Sequence, residues 1–350
     1  MTTPISDQAK TARFQRFWTR AETDRPLLGA TVATFPSMRA VRRDAGLLAP
    51  EDLDIEENVR ELHEEWEAWR DVMGDAMFVA TPLWAFPWHL ALAGCPVKRD
   101  ADNLWALPGL DDWGQIERVR FDPENPWFQR LVAILQALLR KAAGQYAVGP
   151  GPLLLGPPDL MMQLRGQDRL ALDFYDAPEQ VAALGMRAVN LCAEATHALY
   201  TMVPPYQGGR AGTSRYFWAP GEMAETAEDI SFMTSPDLHR RFVVPLHAAL
   251  GRRFPYTMLH LHSAQLHTVP ALLDIETVAA IEITPDFGED LVPQIPLLAQ
   301  ILERRPLLLH GVISLESAQE IMRALPARGL GIFFRCGTPD EAAQLMAKLL

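Results

Sequence analysis

The sequence predicts an α/β chain folded as one (β/α)8 TIM barrel over residues 1–350, with a tryptophan-rich insertion after the second strand. Three observations predict it. Eight β-like runs alternate with longer helical stretches, the rhythm of a barrel. Several runs, among them Met77-Phe78-Val79-Ala80 and Leu307-Leu308-Leu309, are almost continuously apolar. That pattern suits strands buried on both faces of a parallel sheet. Finally, no glycine-rich phosphate fingerprint follows the first strand, which argues against a doubly wound dinucleotide-binding sheet.

In chain order the expected strands are 28–34, 76–81, 146–149, 208–213, 256–262, 279–284, 306–310 and 331–335. The fourth is glycine-rich and has little apolar character. A helix is expected over 51–73, which opens with acidic residues and spaces Val59, Leu62 and Trp66 along one face. Residues 128–143 repeat the pattern with Leu131, Ile134, Leu135 and Leu138. Ser235-Pro236 and Thr338-Pro339-Asp340-Glu341 each read as a helix start, with proline in the first turn. The span 82–125 carries Trp84, Trp88, Trp105 and Trp113 with several prolines. It is too long for a simple strand–helix link and is expected to fold over one end of the barrel as a lid.

Composition narrows the function classes. The chain has 32 Lys plus Arg against 44 Asp plus Glu, a formal net charge of −12, so a phosphate backbone would repel it and nucleic acid is not an expected partner. No run approaches the ~18–20 apolar residues that span a bilayer, and no secretory signal is readable at the N-terminus. Cys95, Cys192 and Cys336 are odd in number and far apart, so a reducing cytoplasm is the expected location.

In a barrel, reactive groups belong at the carboxyl ends of the strands. The fifth run ends in His260-Leu261-His262, the sixth contains Glu282, the seventh ends in His310-Gly311, and Cys336-Gly337 follow the eighth. Residues two apart share a strand face, so both imidazoles of His260 and His262 can point inward. Imidazole and thiolate are zinc ligands, which makes His260, His262 and Cys336 the candidate metal set. Asp229, Glu282 and His310 are the candidate catalytic residues. Each has a plainer reading: a hydrogen-bonded core histidine, a small apolar filler for Cys336, or a carboxylate satisfying loop donors for Asp229. His89 is expected to be structural, and His63 and His239 to be solvated on charged helical faces.

From about residue 146 to 345 the chain resembles the uroporphyrinogen decarboxylase superfamily, which includes zinc-dependent corrinoid and pterin methyltransferases. The matching stretches are Gly149-Pro150, Gly156-Pro157-Pro158-Asp159-Leu160-Met161, Asp176-Ala177-Pro178-Glu179 and Glu228-Asp229-Ile230-Ser231-Phe232-Met233-Thr234-Ser235-Pro236. They continue with Leu259-His260-Leu261-His262-Ser263, Ile281-Glu282-Ile283-Thr284-Pro285 and Leu309-His310-Gly311. The resemblance implies a barrel enzyme with a small-molecule substrate. The decarboxylase branch carries an arginine-rich motif after the first strand. This chain instead reads Thr34-Phe35-Pro36-Ser37-Met38-Arg39, then Arg42-Arg43. The methyltransferase branch binds zinc through His-x-Cys and a later Cys; here His260-Leu261-His262 and Cys336 stand at those places. The resemblance therefore implies methyl transfer at a Zn2+ site, with a corrinoid protein, a pterin or a thiol as partner. The alternatives are a divergent tetrapyrrole decarboxylase and a non-catalytic tetrapyrrole- or corrinoid-binding protein.

Overall fold

The structure is a computed structural model describing residues 4–32, 38–42, 46–100, 103–151, 155–213 and 216–350. Ala33, Thr34 to Ser37 and Arg43 therefore lie outside the described residues, and with them the end of the expected first strand.

Among the described residues twelve strands form in chain order: β1 (Leu27–Val32), β2 (Val79–Ala80), β3 (Val97–Asp100), β4 (Asn103–Ala106), β5 (Ala147–Val148), β6 (Arg210–Ala211), β7 (Trp218–Ala219), β8 (Met223–Ala227), β9 (Tyr256–His262), β10 (Ala280–Thr284), β11 (Leu307–Gly311) and β12 (Leu330–Cys336). Six of them make one parallel sheet in the order β1-β12-β11-β10-β9-β8, while β2 and β5 form a separate parallel pair. The closed eight-stranded ladder expected from the sequence is thus not formed among the described residues. The local reason lies at the turn before β2. Gly29 meets Gly74 in an isolated antiparallel bridge, and the Ala30 amide donates to the Met73 carbonyl at 3.1 Å. The backbone of β1 is occupied by this turn instead of by β2. A Cβ on Gly29 would sit 2.7 Å from the Ala76 Cβ and 2.8 Å from Phe333, so only glycine permits the approach. Buried Asp75 fixes the same corner by accepting from Arg25 and from the Leu28 amide.

The expected fourth strand is corrected. Within 208–213 only Arg210–Ala211 forms a strand, and it pairs antiparallel with β7. The strand that joins the parallel sheet is β8, whose sequence Met-Ala-Glu-Thr-Ala hides its burial because two of its five residues are polar.

Helix starts follow their sequence signals. Asp54 caps Ile55–Trp69 by accepting from the Glu57 amide, Asn125 caps Pro126–Ala142, and Thr338 caps Pro339–Leu349. The Pro126–Ala142 helix buries Leu131, Ile134, Leu135 and Leu138, as its periodicity requires. After the Ser235 cap, the backbone takes a π-helical turn over His239–Val243 before continuing as Val244–Gly251. His239 is consequently buried, at 3% exposure, and not solvated as its charged neighbours suggested. His63 is half-buried between Trp66 and Tyr146.

The insertion folds into a short helix (Trp88–Leu92) and the β3–β4 hairpin, and it packs largely on the body of the protein. Trp88 is buried and donates to the Pro82 carbonyl, Trp105 stacks under Lys98, and Trp113 lies under Arg165. Only Trp84 of these four tryptophans reaches the central cavity. His89 is buried, and burial lowers its pKa to about 3.

Candidate active site

A cavity of about 420 Å3 opens at the carboxyl ends of the parallel strands. Strand alternation determines what faces it. Glu225 and Ala227 of β8, His260 and His262 of β9, Glu282 and Thr284 of β10, Leu308 and His310 of β11, and Phe333 and Arg335 of β12 all line it. Parallel register sets Glu282 directly beside His260 and Thr284 beside His262.

Glu282 is the hub. Its Oε1 lies 2.8 Å from His310 Nδ1 and its Oε2 lies 3.3 Å from His260 Nδ1. The far side of the His310 ring is held by Thr31 Oγ1 at 3.0 Å, and Thr31 also donates to the Phe334 carbonyl. Burial by itself would raise the Glu282 pKa, but the two imidazoles pull it well below the ordinary value. For His260 burial opposes the charge, and the adjacent Glu282 carboxylate outweighs it and raises the pKa. Glu225 completes the group: one ligand atom each from Glu225, His260 and Glu282 lie within 4.8 Å of one another.

A second cluster lines the mouth. His262 Nδ1 lies 2.9 Å from Asp286 Oδ1, while Asp286 Oδ2 accepts from the Ser263 hydroxyl and the Ala264 amide, both at 3.1 Å. Burial acts to raise the Asp286 pKa, but these donors and the imidazole lower it. Asp229 accepts from Gln265 Nε2 at 3.2 Å, and the same amide nitrogen donates to the Glu228 carbonyl.

Asp159 faces this cluster from the first turn of the helix Pro157–Arg165. That helix abuts β8 because Gly156 has no Cβ, which would fall 2.2 Å from the Ala227 carbonyl oxygen. Asp159 is completely buried; its Oδ1 accepts from the Ile230 amide at 2.9 Å, and its Oδ2 has no hydrogen-bond partner among the described residues. Burial first, and then the neighbouring Asp229 charge, push its pKa up to about 7. Near neutral pH Asp159 can therefore hold a proton.

The sequence-derived residues are therefore distributed as follows. Asp229, Glu282 and His310 all line the cavity, as do His260 and His262. Cys336 does not join them. It follows Arg335 on β12, and strand alternation turns it to the opposite face, where it is 1% exposed. Burial, with a contribution from Glu341, pushes its thiol up to about 11, far from a ready thiolate. His262 is engaged by Asp286 and lies outside the group of three. The cluster that could hold a cation is thus Glu225, His260 and Glu282, in place of His260, His262 and Cys336. Glu225 escaped sequence reading because β8 did; once that strand is recognised, its parity with Ala227 places Glu225 inside. Asp159 stood in one of the stretches that carry the resemblance but was not singled out as a site residue.

A solved structure described as a methyltransferase from Methanosarcina mazei is similar to the chain at a TM-score of 0.65 and 11% identity, covering 98% of both chains. At that identity the likeness concerns the fold. No family model matches the chain, and no curated protein does. Among the described residues, no helix is long and apolar enough to cross a membrane.

Proposed function

We propose that this chain is a methyl-transfer enzyme whose reaction takes place in the strand-end cavity, with Glu225, His260 and Glu282 holding a divalent metal ion. The observation that carries the reading is the convergence of two carboxylates and one imidazole within 4.8 Å in a partly apolar cavity. The fold likeness to a methyltransferase supports it. The donor set suits zinc, and equally manganese or ferrous iron, better than a sulfur-rich set would suit the last two. When bound, such an ion supplies Lewis acidity and lowers the pKa of a nucleophile beside it.

The chain's own residues have separable tasks. His310, braced by Thr31, fixes one oxygen of Glu282 so that the carboxylate keeps its orientation. Gln265 holds Asp229, and Asp286 fixes the ring of His262 at the mouth. Asp159 lines the cavity with its pKa raised to about 7 and its Oδ2 without a partner among the described residues, so it would supply a proton to a leaving group. A thiol, a pterin or a protein-bound corrinoid would be the methyl acceptor or donor.

The test is metal content. The purified protein is expected to carry about one zinc per chain after zinc is supplied, and Glu225→Ala and His260→Ala to lose it while Cys336→Ser retains it. No binding by the wild-type protein would sink the metal site. A second reading is then favoured by the pairing of Glu282 with both His260 and His310, which already satisfies the carboxylate without a metal. In that case the cavity would serve a metal-free lyase, such as a divergent tetrapyrrole decarboxylase.

A further inference from the structure

Arg335 is the only lysine or arginine among the described residues that line the cavity, and it shares the wall with Asp159, Glu225, Asp229 and Glu282. Despite four carboxyl groups on the same rim, its guanidinium makes no hydrogen bond and no ion pair with any described residue. Three of the four carboxyl groups are engaged elsewhere: Glu282 by two histidines, Asp229 by Gln265, Asp159 by the Ile230 amide. A half-buried guanidinium without a counter-ion forgoes hydration without gaining a partner, a cost that a cavity wall bears when a ligand supplies the anion. Its planar fork of donors matches a carboxylate in a two-point contact.

The position of the side chain is specific. Arg335 stands two residues after Phe333 on the inward face of β12. Its charge is close enough to His260 to oppose protonation of that ring. Phe217, Phe333, Leu155, Leu308 and Trp84 belong to the apolar part of the wall.

We propose that Arg335 is the anchor for an oxyanion of the substrate, a carboxylate carried on an apolar body, which the aromatic wall covers while the reacting end lies toward His260. The inference rests on the reading of this cavity as the reaction site, and it requires no particular metal.

The probes are 3-phenylpropionate, its uncharged amide 3-phenylpropionamide, and 2-phenylethylphosphonate. Each is titrated calorimetrically into the full chain, once with EDTA and once with zinc. Wild-type protein is expected to bind the carboxylate in preference to the amide. Arg335→Met is expected to weaken the carboxylate at least ~10-fold and leave the amide unchanged, with Arg335→Lys between them, because a charge-assisted bidentate contact is replaced by a point charge or by none. Tighter binding of the phosphonate than of the carboxylate, with the same dependence on Arg335, upholds the oxyanion anchor and identifies a phosphate-type group. Equal binding of carboxylate and amide under both conditions, or equal binding by wild type and a folded Arg335→Met, overturns the proposal. If zinc fails to bind while the Arg335-dependent preference persists in EDTA, the metal site falls and the anchor stands.

Discussion

Replacing Glu228 by glutamine should destabilise the protein in a way that depends on pH. Glu228 follows β8 directly and is wholly buried. Its Oε2 lies 3.0 Å from Nε2 of His239 and 3.0 Å from Nε2 of His247, and Nδ1 of His247 pairs with Thr226 at 3.1 Å. Burial alone would raise the pKa of this carboxyl; the two imidazoles overcome that and hold it near 2, against an ordinary 4.5. At 1.36 kcal/mol per pH unit, that difference is worth ~3 kcal/mol of folding free energy. The sign follows from the direction. The unfolded chain binds the proton first as pH falls, so the contribution is complete above 4.5 and is lost as pH drops from there toward 2. Urea unfolding followed by tryptophan fluorescence should therefore show Glu228→Gln weaker than wild type by ~3 kcal/mol at about pH 7, with the gap closing as pH falls from 4.5 toward about 2. A gap below ~0.5 kcal/mol at neutral pH, or one that stays constant on acidification, would refute the assignment of a charged Glu228 shared by two imidazoles.

The other expected outcomes are shorter to state. Asp159→Asn should behave in the opposite sense: burial and Asp229 hold Asp159 at about 7 against an ordinary 3.8, so the folded state loses stability as pH rises between those values. The variant should be ~2–4 kcal/mol more stable than wild type at about pH 8 and similar near pH 4, by urea unfolding at the two pH values. Gly29→Ala should cost ~1–3 kcal/mol, read as a lowered Tm, because its methyl would press on Ala76 and Phe333 at 2.7 and 2.8 Å. Cys336 should resist alkylation by iodoacetamide in the folded protein near pH 8, and react only after denaturation, because its thiol is buried and held up at about 11.

The sequence by itself determined the elements whose signals are local. Continuous apolar runs specified β9 to β12 to within a residue or so, and Ser235 and Thr338 marked two helix starts, whereas the helices expected from 51 and 128 begin at Ile55 and Pro126 behind the caps Asp54 and Asn125. Period-two alternation also brought His260 and His262 to one face, with Glu282 and His310 on neighbouring strands. Only the tertiary structure decided the rest. Whether the strand ring closes depended on a close contact between Gly29 and the 74–76 turn, residues far apart in local pattern. β8 was hidden because Glu225 and Thr226 read as polar until the neighbouring strands supply a cavity and the helix Val244–Gly251 supplies the imidazole of His247. The inward turn of His239 required a π-helical turn that no periodicity announces. Cys336 was excluded from the site by one residue of parity, since a shift of one along a strand exchanges its two faces. The raised pKa of Asp159 and the lack of an ion pair for Arg335 among the described residues are properties of surroundings assembled from several strands and helices, and a linear sequence carries no record of which groups will meet there.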